Sequence, residues 1–297
     1  MIIVKINGGL GNQLQQYALS EKLRFLGKDV KLDVSWFSND VEKLSYRDLE
    51  LNYFPKVTYE VCTEEDKRLI LGKRNKVAKI LEKLNLKEKK LYVEHQMYDE
   101  SVLSMDDMVL EGYFACEGYY ADIIPHLQET LHFPKSENLE NEKLAEQIQS
   151  TESVSLHIRR GDYLNPENKS IFDGICTDTY YEQAIERIKE WVDNPHFYIF
   201  SDDPEYARLH YTREEYTVVD INHGKDSFFD MYLMSLCKHN ICANSTFSFW
   251  GARLNQNENK IMIRPLKQRN NCDWYEPKRM KELWRNWTLI DEKGKLC

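Results

Sequence analysis

The chain has 297 residues, of which 42% are hydrophobic, and a formal net charge of -9. This length and apolar content are sufficient for one large or two medium-sized hydrophobic cores, and they argue against a largely disordered chain. The acidic balance argues against a protein whose main role is to bind nucleic acid, because that role requires a basic surface.

The chain begins with a predicted strand, a glycine-rich loop and a helix. Residues 2–6 alternate as a strand, glycines follow at positions 8, 9 and 11, and apolar residues then recur at helical spacing. Leu14 stands where a dinucleotide-binding fingerprint has its third glycine, so NAD is not expected. Asn12 and Gln13 supply amides for a sugar or a phosphate, and a tight turn without a ligand explains the loop equally well.

The expected compartment is the cytoplasm. The seven cysteines form no CxxC pair, and an odd number cannot all pair within one chain, which fits a reducing environment. The opening apolar stretch is too short for a signal peptide or a membrane-spanning helix. Residues 64–90 are rich in Lys and Arg and predict a helix with a solvated basic side. The alternative for this helix is peripheral contact with the inner face of a membrane or with an anionic acceptor.

A polar, acid-rich segment between Pro134 and Ser153 is poor in large apolar residues and predicts a domain boundary. We therefore expect an N-terminal domain over 1–140 and a C-terminal domain over 141–297. In the second domain, predicted strands and helices alternate from 153 onwards, which indicates a mainly parallel sheet. The predicted fold class is α/β.

The clearest candidate for a ligand-binding segment is the sequence HIRRGDY at 157–163, which follows an apolar strand. Ligands of open α/β sheets bind at the carboxyl ends of strands. Adjacent arginines on an extended backbone point in opposite directions, so one can face a ligand while the other braces the loop, with Asp162 as its predicted partner. An arginine directed at a diphosphate would stabilise the charge on a departing nucleotide. A buried Arg–Asp bridge without a ligand is the alternative.

The second candidate segment comprises Asn244, Ser245, Thr246, Phe247 and Ser248, between an apolar strand and a helix. Hydroxyls, backbone N–H groups and a helix N-terminus together form an anion site. Ordinary N-capping explains the same residues without a ligand. Because this segment and HIRRGDY are predicted to follow neighbouring strands, we favour a shared phosphate.

Two further acidic positions are candidates. Asp230 lies among apolar neighbours, where a carboxylate needs partners. The N–H groups of guanine match it, and a nearby Lys or Arg would satisfy it equally. Asp202 and Asp203 follow a strand and suggest a Mg²⁺ or Mn²⁺ site, but Asp203 as an N-cap before Pro204 explains the pair better. Asp202 then remains a candidate for nucleotide contact, and the histidines show no metal-ligand spacing.

Five segments together resemble glycosyltransferase family 11, which contains the bacterial α-1,2-fucosyltransferases. Their order and spacing match along nearly the whole chain, and they are GGLGNQL at 8–14, EGYF at 111–114, HIRRGDY at 157–163, SDD at 201–203, and NSTFSFWG at 244–251. The resemblance implies the GT-B fold, in which two Rossmann-like domains face a cleft. The C-terminal domain would hold GDP-fucose and the N-terminal domain the acceptor. It further implies inverting transfer of L-fucose from GDP-β-L-fucose to a glycan hydroxyl, on a terminal β-galactoside, in α-1,2 linkage, with no metal or other cofactor.

The resemblance also implies roles for individual residues. Arg159 would hold the β-phosphate and offset leaving-group charge, and Asn12 would lie near the fucose or the pyrophosphate. The remaining donor-site residues would be His157, Asp202, Asp230 and residues 244–248. Asp162 and Glu167 both follow Arg159 closely enough to be considered as the catalytic base.

Three positions depart from the family pattern: Gln15 stands where Phe is usual, and Phe249 and Arg253 stand where Trp is usual. Acceptor preference or local packing is expected to differ as a result. Two alternatives to the α-1,2-fucosyltransferase stay open. One is a transferase of another linkage or another GDP-sugar, and the other is a non-catalytic protein that binds a GDP-sugar or a glycan.

Overall fold

A computed structural model of the protein describes residues 1–38, 48–72 and 90–297. These residues form two compact units, Met1–His132 and Phe133–Cys297, and each unit is built on its own parallel sheet. The predicted α/β class is confirmed. In the part of the chain that the structure describes, no helix is long and apolar enough to cross a membrane.

The first unit contains a four-stranded sheet with the order β2-β1-β4-β3. Its strands are β1 (Ile2–Lys5), β2 (Val30–Asp33), β3 (Leu91–Val93) and β4 (Met108–Glu111), and its helices are α1 (Leu10–Phe25), α2 (Glu64–Leu71) and α3 (Ile124–Thr130). Gly8 adopts a φ of 78°, and a Cβ atom there would lie 2.7 Å from Nδ2 of Asn12. The tight entry into α1 therefore requires glycine at this position.

Helix α2 begins with a capping box, in which Thr63 and Asp66 satisfy each other's backbone N–H groups. It accounts for the first part of the predicted basic helix. Residues 73–89, which carry the rest of that prediction, lie outside the described residues.

The second unit contains a six-stranded sheet with the order β10-β9-β8-β5-β6-β7. Its strands are β5 (Ser153–Ile158), β6 (His196–Ser201), β7 (Tyr216–Val219), β8 (His239–Ile241), β9 (Met262–Pro265) and β10 (Thr288–Ile290). Its helices are α4 (Leu139–Ser150), α5 (Pro166–Phe172), α6 (Asp178–Trp191), α7 (Pro204–His210), α8 (Phe228–Leu236), α9 (Thr246–Leu254) and α10 (Pro277–Leu283). The chain runs from β5 to β7 in one direction, then returns to the other side of β5 with β8. The strand order therefore reverses between β5 and β8.

Strand β6 shows how this sheet buries both of its faces. Phe197 and Ile199 pack into one hydrophobic cluster with residues of α6, whereas Tyr198 and Phe200 pack into another with residues of α4 and α8. Successive side chains of a strand point to opposite faces, so helices on both sides of the sheet are needed to cover them.

The polar segment that predicted the domain boundary is folded into the second unit. Asn138 caps α4 by accepting a hydrogen bond from the N–H of Glu140. Ala145 and Ile148 bury one face of α4 against the sheet. Phe133 stacks on Phe228 with ring centroids 6.2 Å apart. Residues 133–140, which the sequence assigns to the first domain, therefore lie in the second unit.

Candidate functional site

The two candidate segments lie side by side at the carboxyl edge of the second sheet. Strands β5 and β8 pair in parallel, with Leu156 opposite Ile241. HIRRGDY begins with the last two residues of β5 and continues into the loop after it, and residues 244–248 follow β8, so both segments border the point at which the strand order reverses. Open α/β sheets bind ligands in this position, because the connections diverge there and leave a crevice.

Arg159 lies at the centre of this edge. Its Nη1 is 2.8 Å from Oδ2 of Asp202, and its side chain is 25% exposed, so the guanidinium is both held and accessible. The guanidinium carbon lies 5.6 Å from the ring centroid of Tyr163. The hydroxyl of Tyr163 donates a hydrogen bond to the carbonyl oxygen of Asn244 at 3.1 Å. Tyr163 thus connects the loop after β5 to the loop after β8.

Asp202 organises the loop that carries Arg159. Besides its ion pair, it accepts hydrogen bonds at Oδ1 from the backbone N–H of Arg160 at 2.8 Å and of Gly161 at 3.2 Å. A Cβ atom at position 161 would overlap Oδ2 of Asp202, so glycine allows the backbone to approach the carboxylate. The sequence makes Asp202 a candidate for nucleotide contact, but in the structure both of its carboxylate oxygens are occupied by protein donors.

Arg160 turns away from Arg159, as the extended backbone predicted. Its Nε lies 3.1 Å from Oδ2 of Asp203, and its guanidinium carbon lies 3.7 Å from the ring centroid of Tyr206. The structure therefore gives Arg160 a partner other than the predicted Asp162, whose side chain lies outside the described part of the structure. The predicted N-cap is confirmed, because Asp203 accepts a hydrogen bond from the N–H of Tyr206 at the start of α7. That bond, followed by the charge of Arg160, holds the pKa of Asp203 below its usual value.

His157 is the buried polar residue beneath the loop. Burial and then the charge of Arg159 lower its pKa from 6.5 to about 3, so the imidazole is neutral at physiological pH. Its Nδ1 is buried and has no hydrogen-bond partner among the described residues. The ring centroid of Phe247 is 6.1 Å away. Leaving a buried polar atom unpaired is costly, so Nδ1 is a candidate for contact with a ligand or with water.

Residues 244–248 divide into a buried anchor and a partly exposed helix start. The amide of Asn244 is buried and donates a hydrogen bond to the carbonyl oxygen of Gln268 at 3.1 Å. Ser245 is the N-cap of α9, but its hydroxyl makes no capping hydrogen bond. Ser245, Thr246 and Phe247 are half-buried, and Ser248 is buried and donates to the carbonyl oxygen of Ser245 at 3.2 Å. The positive end of the α9 dipole therefore lies beside the loop that carries Arg159.

Asp230 lies at the same edge. Helices α8 and α9 both lead back to parallel strands, so they run in the same direction. They approach closely, because a Cβ atom at Gly251 would lie 2.8 Å from Cβ of Met234. Asp230 lies one turn before Met234 on α8, and Phe247 lies one turn before Gly251 on α9. Asp230 is therefore level with Phe247.

The carboxyl group of Asp230 is unusually basic. The pKa of this group is raised from 3.8 to about 7, and burial is the main cause. The hydrogen bond from Asn222 opposes the rise, and the negative charge of Asp220 adds to it. Oδ1 accepts the bond from Nδ2 of Asn222 at 2.9 Å. Asn222 was not among the predicted site residues, because eight positions of chain separate it from Asp230 and no local pattern marks the contact.

The first unit holds its own glycine loop at the carboxyl edge of its sheet. Asn12 is half-buried in the first turn of α1, and its N–H donates to the carbonyl oxygen of Gly9 at 2.9 Å. The interpretation of Gln13 as a ligand-binding residue is wrong. Its side chain is fully buried and bonds the carbonyl oxygens of Gly8 and Asp48.

The EGYF segment is held by residues that the sequence did not single out. Glu94 accepts hydrogen bonds from the N–H groups of Tyr113 at 2.7 Å and Phe114 at 3.0 Å. Gln16 donates to the carbonyl oxygen of Gly112 and accepts from the N–H of Asn7. These bonds join the loop after β1 to the loop after β4.

Glu167, the second candidate for the catalytic base, is exposed in the first turn of α5. Within residues 1–38, 48–72 and 90–297, no group of three His, Cys, Asp or Glu side chains is arranged to hold a metal ion.

The three departures from the family pattern are all buried. Gln15 and Phe249 are fully buried, and Arg253 is 1% exposed. Phe249 packs on Trp287, with ring centroids 5.9 Å apart, and the guanidinium carbon of Arg253 lies 5.1 Å from the ring centroid of Trp284. For Phe249 and Arg253, the consequence lies in local packing.

The chain matches glycosyl transferase family 11 over residues 1–291. The chain belongs to this family. This family 11 chain is 32% identical over 292 residues to the O-antigen biosynthesis glycosyltransferase WbnK of Escherichia coli, covering 88% of this chain and 93% of that protein. It is also 32% identical over 286 residues to an α-1,2-colitosyltransferase of Escherichia coli, covering 93% of each chain.

More distant similarities are shorter or weaker. The family 11 chain is 31% identical over 104 residues to the galactoside 2-α-L-fucosyltransferase Sec1 of Mus musculus, which covers 34% of this chain and 28% of that protein. Among solved structures, NodZ α-1,6-fucosyltransferase soaked with GDP-fucose aligns with a TM-score of 0.46 at 13% identity, over 85% of this chain and 91% of that one. A score of this size adds no argument about the site. Family membership makes the protein a glycosyltransferase, and the predicted enzyme class is confirmed.

Proposed function

We propose that this family 11 chain is an inverting α-1,2-fucosyltransferase. It takes L-fucose from GDP-β-L-fucose, bound at the carboxyl edge of the second unit, and transfers it to a hydroxyl of a β-galactoside glycan that the first unit binds. The observation that carries the proposal is the juxtaposition of Arg159 and the N-terminus of α9 at the reversal point of the sheet.

The chemistry follows from the charges at this edge. The acceptor oxygen attacks C1 of the fucose while the bond from C1 to the β-phosphate oxygen breaks, which inverts the anomeric centre. Negative charge then builds on the departing diphosphate. The Arg159 guanidinium and the helix dipole both favour that charge, and they do so without reorganising during the reaction. We therefore propose that no divalent cation is required.

Other residues are assigned to binding and proton transfer. The neutral, unpaired Nδ1 of His157 lies below the phosphate position, where it can accept or donate according to its tautomer. The hydroxyls of Ser245 and Thr246 add donors at the start of α9. Asn12 contacts the transferred sugar or the pyrophosphate. The proton of the acceptor hydroxyl passes to Asp162 or Glu167, or to water.

Asp230 recognises the guanine of the nucleotide. In its ionised form the carboxylate accepts hydrogen bonds from N1–H and the 2-amino group of guanine, which uracil and adenine do not offer together. The position of Asp230 level with Phe247 puts this carboxylate on the same edge as Arg159.

A second candidate function is transfer of colitose, the 3-deoxy analogue of fucose. The observation that favours it is the α-1,2-colitosyltransferase relative, which matches 93% of this chain at 32% identity. Both sugars would reach the enzyme as GDP-sugars, so the guanine and diphosphate contacts are the same for both. The two donors differ at C3 of the sugar, so contacts to a hydroxyl at that position would distinguish them.

The test is a donor competition with product analysis. The purified enzyme is incubated with equimolar GDP-fucose and GDP-colitose on a panel of β-galactosides, with EDTA present, and the products are identified by NMR. An α-1,2-fucosylated product as the main species supports the proposal. A colitosylated product supports the second candidate, and another linkage refutes the α-1,2 assignment. GDP-fucose binding with no turnover on any acceptor would indicate a non-catalytic binding protein.

A further inference from the structure

Behind Asp230, two buried asparagines form a reciprocal pair. Nδ2 of Asn222 donates to Oδ1 of Asn141 at 2.9 Å, and Nδ2 of Asn141 donates back to Oδ1 of Asn222 at 2.7 Å. Asn141 is 1% exposed and Asn222 is 6% exposed. Asn141 comes from α4, whereas Asn222 lies in the loop between β7 and α8. The pair therefore joins the polar helix at the start of the second unit to the candidate nucleotide site.

The hydrogen bonds of this pair fix the orientation of the Asn222 amide. Its second N–H donates to Oδ1 of Asp230 at 2.9 Å, and the second N–H of Asn141 donates to Oγ of Ser136 at 3.0 Å. All four N–H groups of the two amides are thus used. Rotating the Asn222 amide by half a turn would place its oxygen against the carboxylate and against Oδ1 of Asn141, and its NH2 group against that of Asn141, at the cost of three hydrogen bonds.

The consequence is a carboxylate that is held on one side and open on the other. Asn222 engages only Oδ1 of Asp230, and the described residues place no hydrogen-bond donor on Oδ2. Oδ2 and the second lone pair of Oδ1 are therefore available. Together they can accept hydrogen bonds from two donors on one planar edge of a ligand. Among the described residues of the second unit, no donor uses these acceptors.

We propose that Asn222, locked by Asn141, is a positioning residue that sets the plane of the Asp230 carboxylate for the two N–H donors of guanine, and so determines the preference for guanine over hypoxanthine. This inference rests on the proposed GDP-sugar function. Asn222 itself does not touch the nucleotide. Its contribution is to restrict the rotation of a side chain that would otherwise lose alignment with one of the two donors.

The experiment compares GDP with inosine diphosphate, which keeps N1–H and lacks the 2-amino group. Binding of both to the full chain is measured by calorimetry for the wild type, Asn222→Ser and Asn141→Ser. Asn255→Ser is the matched control, because Asn255 is 1% exposed and donates to Oδ1 of Asn240 at 2.8 Å. Asn255 lies beyond the end of α9, at the opposite edge of the sheet. The Asn255→Ser variant therefore measures the effect of losing a buried amide hydrogen bond away from the nucleotide site.

The wild type is expected to prefer GDP by about ten-fold or more, the range of one hydrogen bond to a charged acceptor. In Asn222→Ser, we expect this preference to fall to about three-fold or less, because the carboxylate plane is no longer fixed. Asn141→Ser should give an intermediate preference, and Asn255→Ser should keep the wild-type preference even if it lowers the melting temperature.

An unchanged preference in Asn222→Ser, or in Asn141→Ser if the former does not fold, would overturn the inference and leave the proposed function intact. Equal affinities of the wild type for the two nucleotides would do the same. A wild type that binds neither nucleotide would refute the proposed donor site and the inference with it.

Discussion

Asp202 holds Arg159 through an ion pair of 2.8 Å and at the same time accepts hydrogen bonds from the backbone of the loop that carries it. One carboxylate therefore fixes both the guanidinium and the peptide groups next to it. In the proposed donor site, Arg159 would face the diphosphate and Asp202 would hold it from behind.

Replacing Asp202 by Ala should lower kcat/KM for the donor by about 10- to 100-fold, because a misplaced catalytic group loses rate steeply. Asp202→Asn keeps an acceptor for the loop and should lose less. Steady-state GDP release measures both variants. Glu190→Gln is the control, since it breaks the Arg187–Glu190 pair on α6, away from the site. Activity of Asp202→Ala within two-fold of the wild type would contradict the positioning role.

Gly161→Ala should reproduce most of the Asp202→Ala defect. The new methyl group would displace Oδ2 of Asp202, and that oxygen makes the ion pair with Arg159. Since both changes break the same contact, their effects on kcat/KM should not add in the double variant. Rates for the two single variants and the double variant test this, and full additivity would show that the two residues act independently.

The raised pKa of Asp230 predicts a pH-dependent stability. Its folded-state pKa of about 7 lies above the ordinary 3.8, so its contribution to stability is fully present below pH 4 and is lost as the pH rises to 7. The neighbouring Asp220, paired with Arg208 and His223, adds to the cost of ionising it. The free energy of unfolding, measured against pH, should therefore fall less over this range in Asp230→Asn than in the wild type. Parallel curves would contradict the shift.

Donor binding should release a proton from the same group. If guanine binds the ionised carboxylate, GDP binding at pH 7 should release about half a proton, since half of the free protein carries one. Calorimetry in buffers of different ionisation enthalpy measures this number directly. GDP affinity should also rise between pH 6 and pH 8. Proton uptake, or a proton release that is unchanged in Asp230→Asn, would argue against Asp230 as the guanine contact.

His157 should stay neutral throughout the working pH range. With a pKa of about 3, its ring proton signals in NMR should not titrate between pH 5 and pH 8. Because its folded-state pKa lies below the unfolded value of 6.5, its contribution to stability is present above pH 6.5 and declines as the pH falls toward 3. A titration midpoint near 6.5 in the unliganded protein would show that the imidazole is solvated.

The parts of the fold that the sequence predicted are those with a local signal. Strand β5 and the Asp203 cap of α7 follow from an apolar run and from an acid before proline, and both are confirmed. The segment that forms helix α4 predicted only a domain boundary, because only one narrow face of the helix is apolar. The Asn141–Asn222 pair had no local signal, since its members are 81 positions apart.

The site was predictable to a similar extent. Arg159 and residues 244–248 stood out because polar residues at the ends of apolar strands mark a ligand edge. The partner of Arg160 was not predictable, because Asp162 and Asp203 are both acids within reach of the loop. Strands β9 and β10 were not predicted, since their short apolar runs lie between polar segments.

The most direct test of the phosphate assignment is the affinity of GDP and of GMP for the wild type and for Arg159→Ala. If Arg159 contacts the β-phosphate, the variant should lose about ten-fold or more in GDP affinity and less than about three-fold in GMP affinity, because GMP lacks that group. Equal losses for the two nucleotides, or an unchanged GDP affinity, would contradict the placement of the donor diphosphate beside Arg159.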